Sequence, residues 1–568
     1  MSTAAEKGVV GSRRILILIP AFLVIAAYAQ SLNYPFVYDD LSGIVDEPLI
    51  RDAETVGEAF RAWLQPWRPA THFSYALTHA LFGFSKPAFH ATNLVIHLLN
   101  TLLVFGIGMQ LAKRWLPSLK PEHFAFVAAT IHAVHPLYTE AVTYISGRSS
   151  SLCALFYFGC LYLVMRATEV RDPLRQRLWF FAAALSGLLA WAAKEEAITL
   201  PFIVAVYLIL AGYRKPAIGL IALPLTIVAA RWQEIAHLYQ LSAANQSLVE
   251  LGVGTPVQSG PYVLTAIKAA VFYYMTHFAV PLTQSIDPYF RTVQSIFESG
   301  FLIALATLAA LVLIAVYFSD KQPVLTFSIA ALLVSPLMAY AVIPLPDVVA
   351  EHRIYIAGLG FNLLVALALT RTRRLLWPAV AGLAIALTVV TIARNSVWAS
   401  DVRLWQQAEE NSQNQIRPHL NLGAAFQVAG DFDRALVEYR HALSLRPDLP
   451  LVYSNIGTIY LEQGRLDEAE TMLKRAVELS PSLPRPYINL ASIAVNRKRP
   501  GEALEYAAQA EKAGAAGYWV HFLRGEAFAL SGQLDAARVE YELAAGMIEG
   551  NRPFQDAIQK RLAAIRPQ

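Results

Sequence analysis

Charged residues are scarce in this sequence and unevenly placed. Only 15% of its 568 residues are Asp, Glu, Lys or Arg, whereas 56% are hydrophobic. Soluble proteins carry about a quarter charged residues, so the composition argues against a wholly soluble chain. Apolar runs of 17–22 residues follow one another up to about residue 395, and ordinary charge density returns after it. The sequence therefore predicts a membrane part followed by a part in water.

Cysteine and several well-known catalytic motifs are also missing. Only Cys153 and Cys160 occur, within one apolar run, which predicts buried thiols rather than a disulfide. There is no phosphate-cradling glycine loop, serine nucleophile elbow or kinase motif set, so nothing supports nucleotide-driven chemistry. His132 and His135 stand near Glu140 without an HExxH motif or a cysteine cluster, and no zinc site is predicted. The net charge of +4 does not indicate nucleic-acid binding.

Eleven apolar segments are predicted to span a membrane, because each approaches the roughly 20 residues that a bilayer requires. They are 15–33, 90–112, 123–140, 150–168, 177–193, 197–213, 217–232, 300–319, 323–344, 352–371 and 375–394. The first resembles a signal peptide, but the many segments after it favour an uncleaved helix. Segment 262–281 is predicted to be re-entrant or interfacial; if it does cross, one of the others must not.

Lys and Arg in the short loops predict the orientation, because basic loops remain in the cytoplasm. They fall mainly on one side, which places the loop 34–89 and the C-terminal part outside. Segment 55–64 of that loop is amphipathic and is expected to lie along the membrane surface. We expect a bacterial inner-membrane protein with its C-terminal part in the periplasm, or an endoplasmic-reticulum protein in a eukaryote.

The C-terminal part repeats every 34 residues. The first helix of each unit carries a His or Tyr, such as His419. In three of the four units a Gly follows four residues later, as at Gly423, and the second helix carries recurrent alanines such as Ala435. Small residues let the two helices approach closely. This is the tetratricopeptide (TPR) pattern, which forms a solenoid with a groove that typically binds extended peptide. The predicted domains are a membrane domain 1–395, a linker 396–415, four TPR units 416–549 and a capping helix 550–568.

Ionisable and amide side chains lie in or beside the predicted spans, where a charge costs a few kcal/mol or more unless it is paired. His90, Asn93, His97 and Asn100 fall on one helical stripe, which serves either interhelical hydrogen bonds or a wet cavity. Several predicted outer boundaries also combine carboxylate, imidazole and cation, which together could hold an anion beside a general base. These residues are His132, His135, Glu140, Arg148, Lys194, Glu195, Glu196, Asp287, Asp347, Glu351, His352 and Arg353.

Six stretches, in this order, resemble the transmembrane and TPR-repeat O-mannosyltransferases and their bacterial relatives, which belong to the GT-C class of lipid-sugar-using glycosyltransferases. They are FVYDD, WRPATHFSYALTHALFGFSKPAFHATNLVIHLLN, VHPLYTEAVTYISGRSSSL, AKEEAITLP, AEHRIYIAGLGF and the TPR units. The resemblance implies an all-α, polytopic GT-C-like membrane protein followed by a TPR α-solenoid. The chain departs at Ala70, where the family usually has Leu, and at Ala357-Gly358, where it usually has Pro-Ser. These departures weaken any transfer of substrate identity.

The resemblance implies a polyprenyl-phosphate-linked sugar donor, carrying mannose or another hexose, and transfer at the outer face to a hydroxyl such as protein Ser or Thr. It also implies a catalytic acidic residue after the first span, hence Asp39 or Asp40, because a carboxylate within about 3 Å can take the proton of the attacking hydroxyl. Adjacent side chains of an extended stretch point opposite ways. One carboxylate is therefore expected to act as base while the other forms hydrogen bonds or helps hold a divalent cation; analogy with the class favours Asp39.

Cations are expected to stabilise the departing lipid phosphate. The candidate phosphate contacts are Arg68, Arg148, Lys194 and Arg353, and the other candidate donor- or substrate-binding residues are His90, His135, Glu140, Glu195, Glu351 and His352. The TPR groove is expected to bind the polypeptide acceptor or another partner.

Two other interpretations remain open. A non-catalytic scaffold would be anchored by the spans and would gather partners for secretion or envelope polysaccharide assembly. A transporter is the third, but it would need ionisable residues at mid-membrane. A scaffold would not need carboxylates and cations at several outer boundaries, whereas an enzyme would.

Overall fold

This computed structural model describes residues 16–221, 259–336, 347–547 and 552–565, and the protein is all-helical over these ranges. Parts of the predicted segments 217–232 and 323–344, the first 15 residues and the chain end lie outside the described residues. Two compact units are present, and within the described residues their boundary lies between Asn411 and Ser412. Each unit is described by itself.

The first unit contains thirteen helices of ten residues or more among the residues described. They are α1 (Leu16–Asn33), α2 (Pro69–Phe82), α3 (Lys86–Trp115), α4 (Pro121–Val134), α5 (Arg148–Glu169), α6 (Pro173–Ala193), α7 (Leu200–Leu210), α8 (Ser259–Ala269), α9 (Ser299–Tyr317), α10 (Pro323–Val334), α11 (Gly358–Thr370), α12 (Leu376–Val397) and α13 (Asp401–Asn411). Shorter helical turns fill the connections.

Five helices of this unit are long and apolar enough to cross a membrane, by length and composition, in the described part of the chain. They are α1, α3, Ile145–Ala167 (most of α5 with the turn before it), α9 and α12. They indicate an integral membrane protein, but the predicted count of about eleven spans is not supported. Several predicted segments are shorter as helices: α4 ends before Pro136, and α11 has 13 residues where about 20 would be needed.

Segment 262–281 is not one of these five candidates. It consists of α8, a π-helical turn Ala270–Met275 and a short helix Thr276–Ala279. Tyr273 and Tyr274 in the turn are buried. A π-helical turn inserted into an α-helix often marks a functional position.

The polar stripe of α3 faces the helix bundle. The Asn93 amide donates to the Val142 carbonyl at 3.1 Å. His97 Nδ1 lies 2.6 Å from the Tyr355 hydroxyl, and the Asn100 amide donates to the Ser151 carbonyl at 2.8 Å. Interhelical hydrogen bonds therefore occupy these side chains, which stabilises polar groups inside an apolar core.

Gly358 lies where the resembling family usually has serine. A Cβ atom at this position would overlap the hydroxyl of Tyr138. Tyr138 is fully buried, and Asn362 of α11 donates to its hydroxyl at 3.1 Å. A side chain at position 358 would therefore clash with Tyr138 in this structure.

The second unit consists of antiparallel helix pairs. They are α14 (Ile416–Val428) with α15 (Phe432–Leu445), α16 (Pro450–Glu462) with α17 (Leu466–Leu479), α18 (Pro484–Asn496) with α19 (Pro500–Lys512), and α20 (Tyr518–Leu530) with α21 (Leu534–Gly546), followed by α22 (Arg552–Ala564). Gly423 and Gly457 leave no room for a Cβ against Tyr439 and Leu473. Small residues thus bring the two helices of a unit together, as the repeat pattern predicts.

Candidate functional site

The acidic pair follows α1, and its two side chains differ in burial. Asp39 is exposed, whereas Asp40 is 1% exposed. Asp40 Oδ1 accepts from the amide and hydroxyl of Ser146 at 2.8 and 2.6 Å, and its Oδ2 accepts from the Val37 amide at 3.1 Å. Burial raises the pKa of Asp40 to about 7, although these hydrogen bonds lower it. Asp40 therefore holds the loop to the segment before α5 and leaves Asp39 at the surface.

The turn that presents Asp39 is strained. Tyr38 has a φ of 52°, a left-handed backbone conformation that residues other than Gly rarely adopt. Such a conformation costs about 1–3 kcal/mol and persists only where its surroundings hold it. The two aspartates diverge because a helical turn starts after this residue, not because the stretch is extended as the sequence analysis assumed.

Arg68 begins α2 and also has a left-handed φ, of 51°. Its guanidinium forms a bidentate pair with Glu195, with Nε–Oε2 2.9 Å and Nη2–Oε1 2.5 Å. Both side chains remain about one third exposed. Burial alone would raise the pKa of Glu195, but the hydrogen bonds and charge of Arg68 hold it at about 2.

Lys194 directly precedes Glu195 in the sequence and is buried. Its Nζ lies 2.7 Å from Glu196 Oε1 and donates to Ser150 Oγ at 2.7 Å. The side chains of Lys194 and Glu196 are only 3% and 6% exposed. Lys194 is thus a buried cation that is paired with Glu196.

The turn before α11 carries the third group of charges. Glu140 Oε1 lies 2.6 Å from His352 Nδ1, and its Oε2 accepts from the amides of Glu351 and His352 at 2.8 and 3.2 Å. Arg353 donates from Nη1 to the Asp347 carbonyl at 2.7 Å. His352 and Arg353 are half-buried, whereas both glutamates are buried.

Glu351 is held in the interior by neutral donors. The Tyr273 hydroxyl and the Ser285 amide donate to its Oε1 at 2.9 and 3.2 Å, and the Gln284 amide donates to its Oε2 at 2.8 Å. Arg394 of α12 lies 3.9 Å from the same carboxylate. Burial raises the pKa of Glu351. These contacts tie the turn before α11 to the segment after α8.

The charges of these three groups act on one another. Burial lowers the pKa of His352 well below its usual value, and the charges of Lys194, Arg353 and Arg68 lower it further. Burial likewise raises the pKa of Tyr75 on α2. The charge of Asp40 raises this pKa further, and the charge of Arg68 lowers it. Arg68 therefore acts electrostatically on Tyr75 together with Asp40, and on His352 together with Lys194 and Arg353.

An apolar cavity of about 230 Å³ adjoins the 351–353 turn. Ile354, the residue after Arg353, lies in its wall, and Tyr274 of the π-helical turn lines it while hydrogen-bonding the backbone of Ala350. The other walls include Phe278, Leu308, Leu332 and Ala357. A cationic turn thus borders a cavity suited to hydrocarbon.

Three sequence-predicted site residues lie in the interior with other partners. Arg148 is 0% exposed, and its guanidinium contacts α2 and α3. His90 Nε2 lies 3.2 Å from the Tyr34 carbonyl, and His135 Nε2 lies 3.0 Å from the Phe278 carbonyl. Each of the three side chains therefore has at least one hydrogen-bond partner inside the protein. In the described residues there is no cluster of three or more His, Cys, Asp or Glu that would suit a metal ion.

Sequence reasoning missed Ser146, Asp401 and Arg394. Ser146 stands in the motif ISGRSSSL and holds Asp40, so its place in that motif was a usable signal. Asp401 and Arg394 lie more than 350 residues beyond the acidic pair, outside every motif used above. Only the fold brings Asp401 to the acidic turn and Arg394 to Glu351.

Comparison with known proteins gives two findings. Tetratricopeptide-repeat family models match residues 415–482 and 488–551. The chain is also distantly homologous to protein O-mannosyl-transferases with TPR repeats. It is 25% identical over 485 residues to "Protein O-mannosyl-transferase TMTC3" of Mus musculus, covering 75% of this chain and 50% of that protein.

Two further relatives support the same homology. "Protein O-mannosyl-transferase F38B6.6" of Caenorhabditis elegans is 26% identical over 466 residues, covering 77% of this chain and 63% of that protein. "Protein O-mannosyl-transferase TMTC1" of Homo sapiens is 33% identical over 147 residues, covering 24% of this chain and 16% of that protein. The chain spans about half the length of the first curated relatives it matches.

Proposed function

We propose that this protein is a membrane glycosyltransferase that moves a sugar from a polyprenyl-phosphate-linked donor to a hydroxyl of a polypeptide Ser or Thr. The observation that carries the proposal is the exposed Asp39 on a strained turn whose two flanking residues are held, Tyr38 by Asp401 and Asp40 by Ser146. Homologues named O-mannosyl-transferases favour mannose or another hexose. The excess of basic residues in the opposite loops favours transfer at the outer face of the membrane.

Asp39 acts as the base in this proposal. It takes the proton of the acceptor hydroxyl as that oxygen bonds to the anomeric carbon. The bond from that carbon to the phosphate oxygen breaks, and the lipid phosphate leaves with the electron pair. Arg68 and Arg353 stabilise the charge on that phosphate, while Lys194 adds positive charge from the interior. If the donor is β-linked and the product α-linked, the reaction inverts in one step. A divalent cation remains compatible with this scheme.

The apolar cavity suits the prenyl chain of the donor. Ile354 in its wall directly follows Arg353, so a phosphate at that arginine would leave its hydrocarbon beside the cavity. Burial of the chain supplies about 25 cal/mol per Å² of apolar surface removed from water. The cavity would thus bind the hydrocarbon of the donor, and the cations would bind its phosphate.

The TPR unit supports a polypeptide acceptor or partner. The first helices of adjacent units pack side by side, as expected for the inner face of a solenoid. Asn421, Asn455 and Asn489 occupy the same position in three of them and are half-buried. The Asn421 amide nitrogen is buried with no hydrogen-bond partner among the described residues, whereas Asn489 donates to the Thr458 hydroxyl at 2.8 Å. Amide side chains in such a row suit the backbone of an extended peptide.

Replacing these three asparagines by alanine should weaken acceptor binding. Three lost hydrogen bonds of about 0.5–1.5 kcal/mol each predict a rise of roughly tenfold or more in KM for the acceptor, with kcat unchanged. Transfer kinetics with varied acceptor measures it, and Gln509→Ala, on a second helix, is the control. An unchanged KM would remove the asparagines from the binding surface.

Glycopeptide mass analysis of envelope proteins tests the function itself. Cells with the gene should carry hexose-sized additions on Ser or Thr that disappear on deletion and return with the wild-type gene. Return with a gene that carries both Asp39→Asn and Asp40→Asn would contradict the enzyme and favour the scaffold, which would support glycosylation by another protein. No polypeptide difference between the strains would overturn a protein acceptor.

A further inference from the structure

Helix α13 approaches the acidic turn from a distant part of the sequence. Asp401 Oδ1, on its first residue, accepts a hydrogen bond from the Tyr38 amide at 3.0 Å. The Trp405 ring, one helical turn later, lies edge-on against the Tyr38 ring with centroids 5.1 Å apart. Leu404 and Trp405 are buried. Two contacts from α13 thus meet at the one residue that has a left-handed φ in this turn.

The helix itself is firmly placed. Arg394 of α12 donates to Gln407 on α13, and Arg394 also lies 3.9 Å from Glu351. On the other side, Tyr38 lies against Tyr144, whose ring stacks on Trp398 with centroids 5.0 Å apart. The turn is therefore held by α13 at Tyr38 and by Ser146 at Asp40, and Asp39 lies between these two residues.

We infer that Asp401 is a positioning residue for the proposed base: its carboxylate holds the Tyr38 amide, fixes the left-handed turn and so aims the Asp39 side chain. The inference rests on the proposed function. A backbone amide held by a carboxylate makes a charge-assisted hydrogen bond, which is roughly twice as strong as a neutral one. Without it the strained residue has an alternative, because most of the accessible backbone conformations of tyrosine have negative φ. Asp39 would then leave the geometry that proton transfer requires.

Hydrogen exchange tests the contact without reference to activity. In the full-length protein in nanodiscs, the peptide containing Tyr38 should exchange faster in Asp401→Ala than in wild type. Asp401→Asn, whose amide oxygen still accepts, should restore most of the protection. Glu410→Ala, an exposed carboxylate on the same helix, should leave exchange unchanged. Equal exchange in all four proteins would overturn the inference.

Kinetics then separates positioning from a merely structural role. The donor is mannosyl-phosphoryl-undecaprenol, and the acceptor is the peptide found by the envelope comparison. Asp401→Ala should lower single-turnover transfer roughly tenfold or more, because small misplacements of a catalytic group are costly, while donor Kd stays within about twofold of wild type. Asp401→Asn should recover most of the rate. Equal loss in Ala and Asn variants, or a loss confined to donor binding, would contradict positioning.

The proposed glycosyltransferase function and the positioning role of Asp401 can be tested separately. If wild type transfers no sugar, the proposed function fails. If wild type transfers sugar and Asp39→Asn does not, but Asp401→Ala is as fast as wild type, only the inference about α13 fails.

Discussion

Asp39→Asn is expected to reduce sugar transfer by about 10²–10⁴-fold, the range that a positioned general base contributes. Asparagine has nearly the same shape but does not take a proton from the acceptor hydroxyl. Because Asp39 is exposed, its replacement should leave the melting temperature of the purified protein and its affinity for the donor lipid close to wild type. The measurement is single-turnover transfer at saturating donor.

Two further variants in the same loop serve as comparisons for Asp39→Asn. Asp46→Asn removes one exposed carboxylate seven residues further on and should transfer as wild type. Asp40→Asn should instead lower stability, because Asp40 accepts hydrogen bonds at both oxygens and an amide nitrogen would face one of those donors. If Asp39→Asn retains wild-type transfer while Asp40→Asn folds and is inactive, the base is Asp40.

The parts of this fold that follow a period were predictable from the sequence. The TPR unit depends on a 34-residue repeat, so Gly423 and its equivalents indicated where helices approach closely. The predicted span count is not supported by the described residues, because hydropathy measures apolar length without showing where helices end. Pro136 follows His135 inside the predicted segment 123–140, and α4 stops at Val134. A proline interrupts helical hydrogen bonding even where the surrounding residues remain apolar.

The candidate site was predictable only in part, because charge in a motif does not reveal where a side chain points. Asp39, Arg68 and Arg353 keep exposed surface in the structure, as a role toward substrate requires. Arg148 stands in an equally charged motif but is enclosed by α2 and α3. Asp401 lies outside every motif and approaches the acidic turn only through the packing of α13.

Arg148→Met is expected to destabilise the protein more than any other single replacement considered above. Arg148 Nε donates to Asn93 Oδ1 at 2.6 Å, Nη1 to the Ser74 carbonyl at 3.0 Å and Nη2 to the Phe89 carbonyl at 3.0 Å. Its guanidinium also lies over the Tyr75 ring, 4.5 Å from the centroid. Methionine fills similar volume but leaves buried acceptors without donors, each worth about 1–3 kcal/mol.

A loss of about 3–5 kcal/mol should follow, seen as a large fall in melting temperature and in the yield of folded protein. Arg51→Met is the control, because 47% of the Arg51 side chain is exposed and its replacement should change stability by less than about 0.5 kcal/mol. The experiment also decides between the two roles considered for Arg148. A variant that melts as wild type but no longer binds mannosyl-phosphoryl-undecaprenol would make it a phosphate contact after all. A variant that loses stability, and whose remaining folded fraction binds the donor normally, would place it in the framework that orients α2, whose first turn carries Arg68.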